Sequence, residues 1–98
     1  MKSRAIVINP KDNVANALVD IEKGEVVEIF TSRTLSVKVK SDIPFGHKFA
    51  VRDIPKGGEI IKYGEVIGRA TKDIREGKHV HVHNVESLRA RGDIITPG

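Results

Sequence analysis

Hydrophobic and polar positions along this chain follow the period of two that is typical of half-buried β-strands. The clearest case is the segment 35–39, where Leu35, Val37 and Val39 alternate with polar residues. Three further apolar segments have strand length, at 5–8, 26–30 and 80–85. The pattern therefore predicts a mostly β domain of short strands and turns with little helix.

One segment has two interpretations. Val14, Ala17, Leu18 and Ile21 have the spacing of one helix face, and Asp12 ahead of them is a possible cap. The same residues also fit a strand that leads directly into a turn. We interpret the segment as a strand.

The motif Asp-Ile-x-x-Gly occurs four times, beginning at Asp20, Asp42, Asp53 and Asp73. In each copy Asp is able to cap its own turn, Ile to anchor the turn in the core, and Gly to supply a positive φ. The intervals between copies are unequal, whereas a solenoid needs a fixed period. The copies therefore predict chain reversals within one irregular β domain.

Size limits what this domain does alone. The chain has 98 residues, 39% of them hydrophobic but only 4% aromatic, so its core is expected to consist of Val, Ile, Leu and Ala. A modest core leaves little room for a complete enzyme with a large buried pocket. We expect one domain at 1–88, followed by a polar tail at 89–98 that frays or packs on a partner.

Charge and composition exclude several functional classes. Seventeen Lys and Arg against 13 Asp and Glu are interspersed along the chain, which is typical of a solvated surface. Basic residues lack interleaved aromatics, which disfavours nucleic-acid binding, and the absence of cysteine excludes disulfides and thiolate metal sites. The apolar run after Arg4 is too short for a signal segment or a membrane span, so we expect a cytoplasmic protein.

The sharpest chemical feature is an alternation of histidine with valine near the end of the domain. On a strand, His79, His81 and His83 would point to one face and Val80 and Val82 to the other. Two such imidazoles are able to reach one metal ion. The alternative is a half-exposed face whose histidines only hydrogen-bond their neighbours. A closed zinc site fits poorly because it needs four ligands.

Two turns carry a second set of polar groups. Gly46, His47 and Lys48 would place a titratable group and a cation where the backbone approaches a ligand, which suits a carboxylate. An ordinary basic turn is the alternative. Lys62 precedes Tyr63, which is the single tyrosine of the chain, and a lone tyrosine is more often a packing residue.

Three segments together resemble the N-terminal SAF domain of the altronate and galactarate dehydratase family. They are Asp-Ile-Pro-Phe-Gly-His-Lys-Phe-Ala-Val-Arg-Asp-Ile at 42–54, Ile-Lys-Tyr-Gly-Glu-Val-Ile-Gly-Arg-Ala at 61–70 and His-Val-His-Val-His-Asn-Val at 79–85. With a weaker likeness at 12–18, the resemblance covers roughly residues 5–88. Asn16 stands where the family often has an apolar residue.

The resemblance implies a β-clip fold and a role as the small subunit of a hydro-lyase that dehydrates aldonic or aldaric acids, inactive alone. It implies a large catalytic subunit as partner and Fe²⁺ or Mn²⁺ as cofactor. From these implications we predict that His79 and His81 bind the metal ion. We predict that the catalytic residues are His47, Lys48 and His83. The predicted substrate-binding residues are Gly46, Lys62 and Tyr63.

Other functions remain open at this point. The family also contains a sulfolactate sulfo-lyase small subunit, which eliminates sulfite rather than water. A large subunit could supply every ligand and base, leaving this domain as a lid. SAF-like folds also serve as non-catalytic binding modules, and exposed strand edges would allow pairing with a second copy.

Overall fold

A computed structural model describes residues 4–30 and 34–87, and within those ranges it contains β-strands and no helix. This confirms the mostly β class. In the part described, no helix is long and apolar enough to cross a membrane. The nine strands are β1 Ala5–Ile6, β2 Val14–Ala17, β3 Val26–Phe30, β4 Thr34–Lys38, β5 Lys48–Ala50, β6 Glu59–Lys62, β7 Glu65–Ala70, β8 His79–Val80 and β9 Val85–Ser87.

The strands form three small antiparallel sheets. The first has the order β1-β2-β5-β8, the second is the hairpin β3-β4, and the third has the order β6-β7-β9. Strand β8 therefore lies at an edge of the first sheet. The hairpin β6-β7 is irregular between Ile60 and Ile61, where its register shifts.

The four Asp-Ile-x-x-Gly motifs pair with one another in two antiparallel couples. Ile21 bridges to Ile43, and Ile54 bridges to Ile74. All four isoleucines are at most 3% exposed, which confirms that they anchor the turns in the core. The motif glycines all have positive φ, between 83° and 95°. Pairing makes each motif half of a two-turn unit.

The predicted role of the motif aspartates is wrong in one respect, because each caps its partner's turn rather than its own. Asp20 accepts a hydrogen bond from the Phe45 N–H, and Asp42 accepts one from the Lys23 N–H. The second couple repeats the exchange, from Glu76 to Asp53 and from Lys56 to Asp73. Each carboxylate lies next to a backbone N–H of the other motif because the two paired motifs lie side by side and run in opposite directions.

Two hydrophobic clusters share the interior, and β5 lies between them. Side chains of a strand alternate between its faces, so Phe49 enters one cluster and Ala50 the other. The Phe49 cluster packs against the β3-β4 hairpin through Val27, Ile29 and Val37. Val, Ile and Ala dominate both clusters, as the composition predicts.

The predicted strands are confirmed to different extents. The segment 26–30 is strand β3, 35–39 is β4 displaced by one residue, and 5–8 is shortened to β1. The ambiguous segment is confirmed as a strand, β2. Strands β5, β6 and β7 were not predicted, because their apolar residues stand in adjacent pairs between charged residues rather than in alternation. Strand β9 shares only Val85 with the predicted segment 80–85. The predicted tail at 89–98 lies outside the described residues.

Candidate functional site at the edge of the first sheet

Two of the paired turns deliver histidines to the same sheet edge. The turn that ends at Gly46 leads directly into His47 and strand β5. The turn that ends at Gly77 leads, after one residue, into His79 at the start of β8. Since β5 and β8 are neighbours, the two turns place both imidazoles on one side of the sheet.

The predicted strand at 80–85 is wrong. Strand β8 ends at Val80, and a turn follows in which the buried Asn84 side chain accepts the His81 N–H and donates to the His79 carbonyl. The valines therefore share no face, because Val80 is fully buried whereas Val82 is 82% exposed. An asparagine that bonds nearby backbone ends a strand in this way.

Three histidines nevertheless come together. The ring centroids of His47 and His81 are 4.4 Å apart, and those of His47 and His79 are 5.1 Å apart. Nδ1 of His47 lies 2.9 Å from Nε2 of His79, at hydrogen-bond distance. The rings are stacked within 23° of parallel. We call His47, His79 and His81 the histidine cluster.

Strand register explains the cluster. Lys48 pairs with Val80 and Phe49 with His79. Continuing the antiparallel register by one step sets His47 directly opposite His81, and cross-strand neighbours of this kind have side chains in contact. His79 is the diagonal neighbour two residues away, so it lies on the same face.

The cluster has the donor set for one metal ion. One nitrogen from each ring lies within 4.8 Å of the other two. Nitrogens that bind the same ion at about 2.1 Å lie about 3 Å apart, so the stacked rings would have to rotate to direct all three nitrogens at one ion. Imidazole suits Fe²⁺ better than Mn²⁺, which prefers oxygen ligands. His47, predicted as catalytic, thus joins the predicted ligands His79 and His81, while His83 lies outside the set.

Partial burial favours the neutral form of His79 and His81. The pKa of His79 is lowered from 6.5 to about 4, chiefly by burial and further by the neighbouring His47, His83, His81 and Lys48. The pKa of His81 is lowered by burial and then by His47 and Lys48. Neutral imidazoles are the form that binds metals.

This shift predicts a pH dependence of folding for the metal-free chain. The folded pKa of His79 is below its unfolded value of 6.5, so the unfolded state binds more protons between pH 6.5 and pH 4. The contribution of His79 is therefore complete above pH 6.5 and is lost as the pH falls toward 4. We expect His79→Gln to lose less unfolding free energy than the wild type between pH 7.5 and pH 5 in urea titrations. Equal losses of unfolding free energy in His79→Gln and the wild type would contradict the lowered pKa of His79.

A cavity of about 500 Å³ adjoins the cluster at His81. Lys48, Lys62 and Tyr63 line it together with Glu65, Ser87 and apolar residues. The pKa of Lys48 is lowered by burial and by the charge of Lys62. A cavity with two lysine ammonium groups suits an organic anion.

The remaining predicted residues lie elsewhere. The Gly46 N–H donates to the Ala17 carbonyl, so it is committed within the fold. His83 is exposed, and it borders a second cavity of about 220 Å³ together with Lys72 and Lys78. The sequence prediction missed Asn84, which holds the turn after β8, although an Asn after a strand is a turn signal.

Asn16 carries an unpaired polar atom in the interior of the sheet. It pairs across the sheet with Lys48. Its side-chain oxygen is the one buried side-chain polar atom without a hydrogen-bond partner in the described ranges. An unpaired buried carbonyl costs free energy, about 1–3 kcal/mol.

Fold and site together define a small antiparallel β module that gathers histidines and lysines at one sheet edge. Over residues 3–88 its sequence matches the altronate/galactarate dehydratase SAF domain, and the chain belongs to that family. This confirms the resemblance carried by 42–54, 61–70 and 79–85.

The relatives of this chain are lyases. It is 45% identical over 82 residues to altronate dehydratases of Bacillus subtilis and Escherichia coli, covering 84% of this chain but only 16% of each relative. It is 40% identical over 88 residues to the (2R)-sulfolactate sulfo-lyase subunit alpha of Chromohalobacter salexigens, covering 85% of this chain and 94% of that subunit. The chain thus spans about one sixth of the altronate dehydratases and nearly the whole sulfo-lyase subunit.

Proposed function

We propose that this chain is the small subunit of a hydro-lyase that dehydrates aldonic or aldaric acids, and that it completes the active site of a large catalytic subunit. The observation that carries the proposal is the histidine cluster beside a cavity with two lysines. The relation to altronate dehydratases and to a subunit alpha of almost this length supports it.

The residues suit elimination next to a carboxylate. Dehydration removes a proton from the carbon beside the carboxylate and expels a hydroxyl from the next carbon as water. Lys62 offers a charge for the carboxylate, and Lys48 offers an amine whose pKa is lowered toward that of a base. Fe²⁺ or Mn²⁺ at His47, His79 and His81 would stabilise the negative charge that develops on the substrate.

The site is only partly built by this chain. The cluster supplies three ligands, and a divalent ion of this kind takes more. In the altronate dehydratases about five sixths of the protein lies outside the matched segment. A partner that contributes further ligands and closes the cavity against water would complete the site.

Turnover of a panel of sugar acids tests this proposal. The chain alone, a candidate large subunit alone and their mixture would each be assayed for 2-keto-3-deoxy product with Fe²⁺ or Mn²⁺ added. We expect product only in the mixture. Absence of product together with absence of a complex would overturn the proposal in favour of a binding module.

A sulfo-lyase is the second candidate, because the sulfo-lyase subunit alpha matches nearly end to end. The same mixture would be offered (2R)-sulfolactate, and released sulfite would be measured. Sulfite without any dehydration product would assign the chain to this second function.

A further inference from the structure

The turn between β6 and β7 has an unusual backbone. Lys62 pairs with Glu65, which leaves Tyr63 and Gly64 as a two-residue loop. Both have positive φ, 56° for Tyr63 and 75° for Gly64. This is the backbone of a type I′ turn, in which Asn-Gly is the favoured pair. Among the described residues Tyr63 is the single non-glycine residue with positive φ.

Burial of the ring does not offset this strain. Tyr63 is 53% exposed, so its side chain gains little from packing, contrary to the usual role of a lone tyrosine. Asparagine or glycine at the same position would relieve the backbone. Strained residues of this kind concentrate at ligand sites, where the side chain has a task that relaxed alternatives cannot perform.

In the structure the Tyr63 ring contacts the side chain of Lys62. Nζ of Lys62 lies 4.8 Å from the centroid of the Tyr63 ring, within the range of a cation–π contact. Both residues line the cavity beside His81. Lysine is a flexible side chain, and the ring restricts where its ammonium group can lie.

Contacts with the segment 9–12 also hold the Tyr63-Gly64 turn in place. The buried Asp12 accepts a hydrogen bond from the Gly64 N–H at 2.8 Å and another from the Asn9 N–H at 3.2 Å. A Cβ at Gly64 would lie 2.7 Å from the side-chain amide nitrogen of Asn9, so the loop packs closely against the Asn9 side chain. The turn therefore has little freedom to relax.

We infer that Tyr63 is kept in a strained turn because its ring positions the Lys62 ammonium group to bind a ligand carboxylate in the cavity. The inference rests on the proposed function for the identity of the ligand. Tyr63 is here a positioning residue, and Lys62 makes the contact with the anion.

The test is Tyr63→Asn in the full chain, with D-altronate as the probe. The substitution creates the favoured Asn-Gly turn, so the melting temperature is expected to rise by about 4 °C or more. Loss of the ring frees Lys62, so calorimetric titration is expected to show affinity for D-altronate lowered about tenfold. If Tyr63 had only a structural role, the substitution would not raise the melting temperature and lower the affinity at the same time.

Two further variants control the test. Tyr63→Phe keeps both ring and strain, so it is expected to keep the wild-type melting temperature and to lose much less affinity than Tyr63→Asn. Lys62→Gln is expected to lose affinity with an unchanged melting temperature. Tyr63→Asn that binds as tightly as the wild type, or a wild type that does not bind, would overturn the inference. Loss of affinity in Tyr63→Phe equal to that in Tyr63→Asn would overturn positioning by the ring.

These outcomes are separate from those of the turnover assay. Weakened D-altronate binding by Tyr63→Asn, with neither product nor a complex in any mixture, would support the positioning role and reject the lyase. Turnover in the mixture with unaffected binding by Tyr63→Asn would support the lyase and reject the positioning role.

Discussion

His79→Ala is expected to lower the affinity of the full chain for Fe²⁺ by about 100-fold or more, since it removes one of the three imidazoles of the histidine cluster. Anaerobic calorimetric titration of the wild type and the variant measures this directly. An all-imidazole donor set further predicts tighter binding of Fe²⁺ than of Mn²⁺ to the wild type.

His83→Ala is the matched control for that experiment. His83 is exposed, and its ring lies 5.3 Å from that of His79, yet it belongs to no three-ligand set in the described residues. We expect the removal of His83 to change Fe²⁺ affinity less than about threefold, because the electrostatic effect of a solvent-exposed group on its neighbours is small. Equal losses in His79→Ala and His83→Ala would reject the cluster as the metal site.

The largest loss of stability is expected from Phe49→Ala. Phe49 is fully buried between β2 and β8, pairing with Ala15 and His79. Truncation removes a ring from a core that is otherwise built of small aliphatic side chains, and costs about 3–5 kcal/mol of unfolding free energy. Urea unfolding followed by circular dichroism measures the loss. In a domain of this size, that loss is a large fraction of the total stability.

Phe45→Ala provides the comparison, because the same atoms are removed from a side chain that is 66% exposed. We expect it to change the unfolding free energy by less than about 0.5 kcal/mol. A loss below about 1 kcal/mol in Phe49→Ala would contradict the central position of β5 between the two clusters.

Much of this protein was predictable from local sequence. The apolar segment at 26–30 and the alternation at 35–39 identified strands β3 and β4, and the four repeated motifs identified buried isoleucines beside glycines with positive φ. The family resemblance was carried by contiguous residues as well. These features depend on neighbouring residues, whose backbone preferences act over a few positions.

The tertiary structure alone decided how the motifs meet. No local signal indicates that Asp20 caps the turn at Phe45, because the two residues are 25 positions apart. The same holds for the site. The histidine alternation suggested one continuous strand, whereas Asn84 ends it, and His47 joins His79 and His81 only through the pairing of β5 with β8. Register between distant strands depends on which faces are buried together, and a chain read residue by residue does not contain that information.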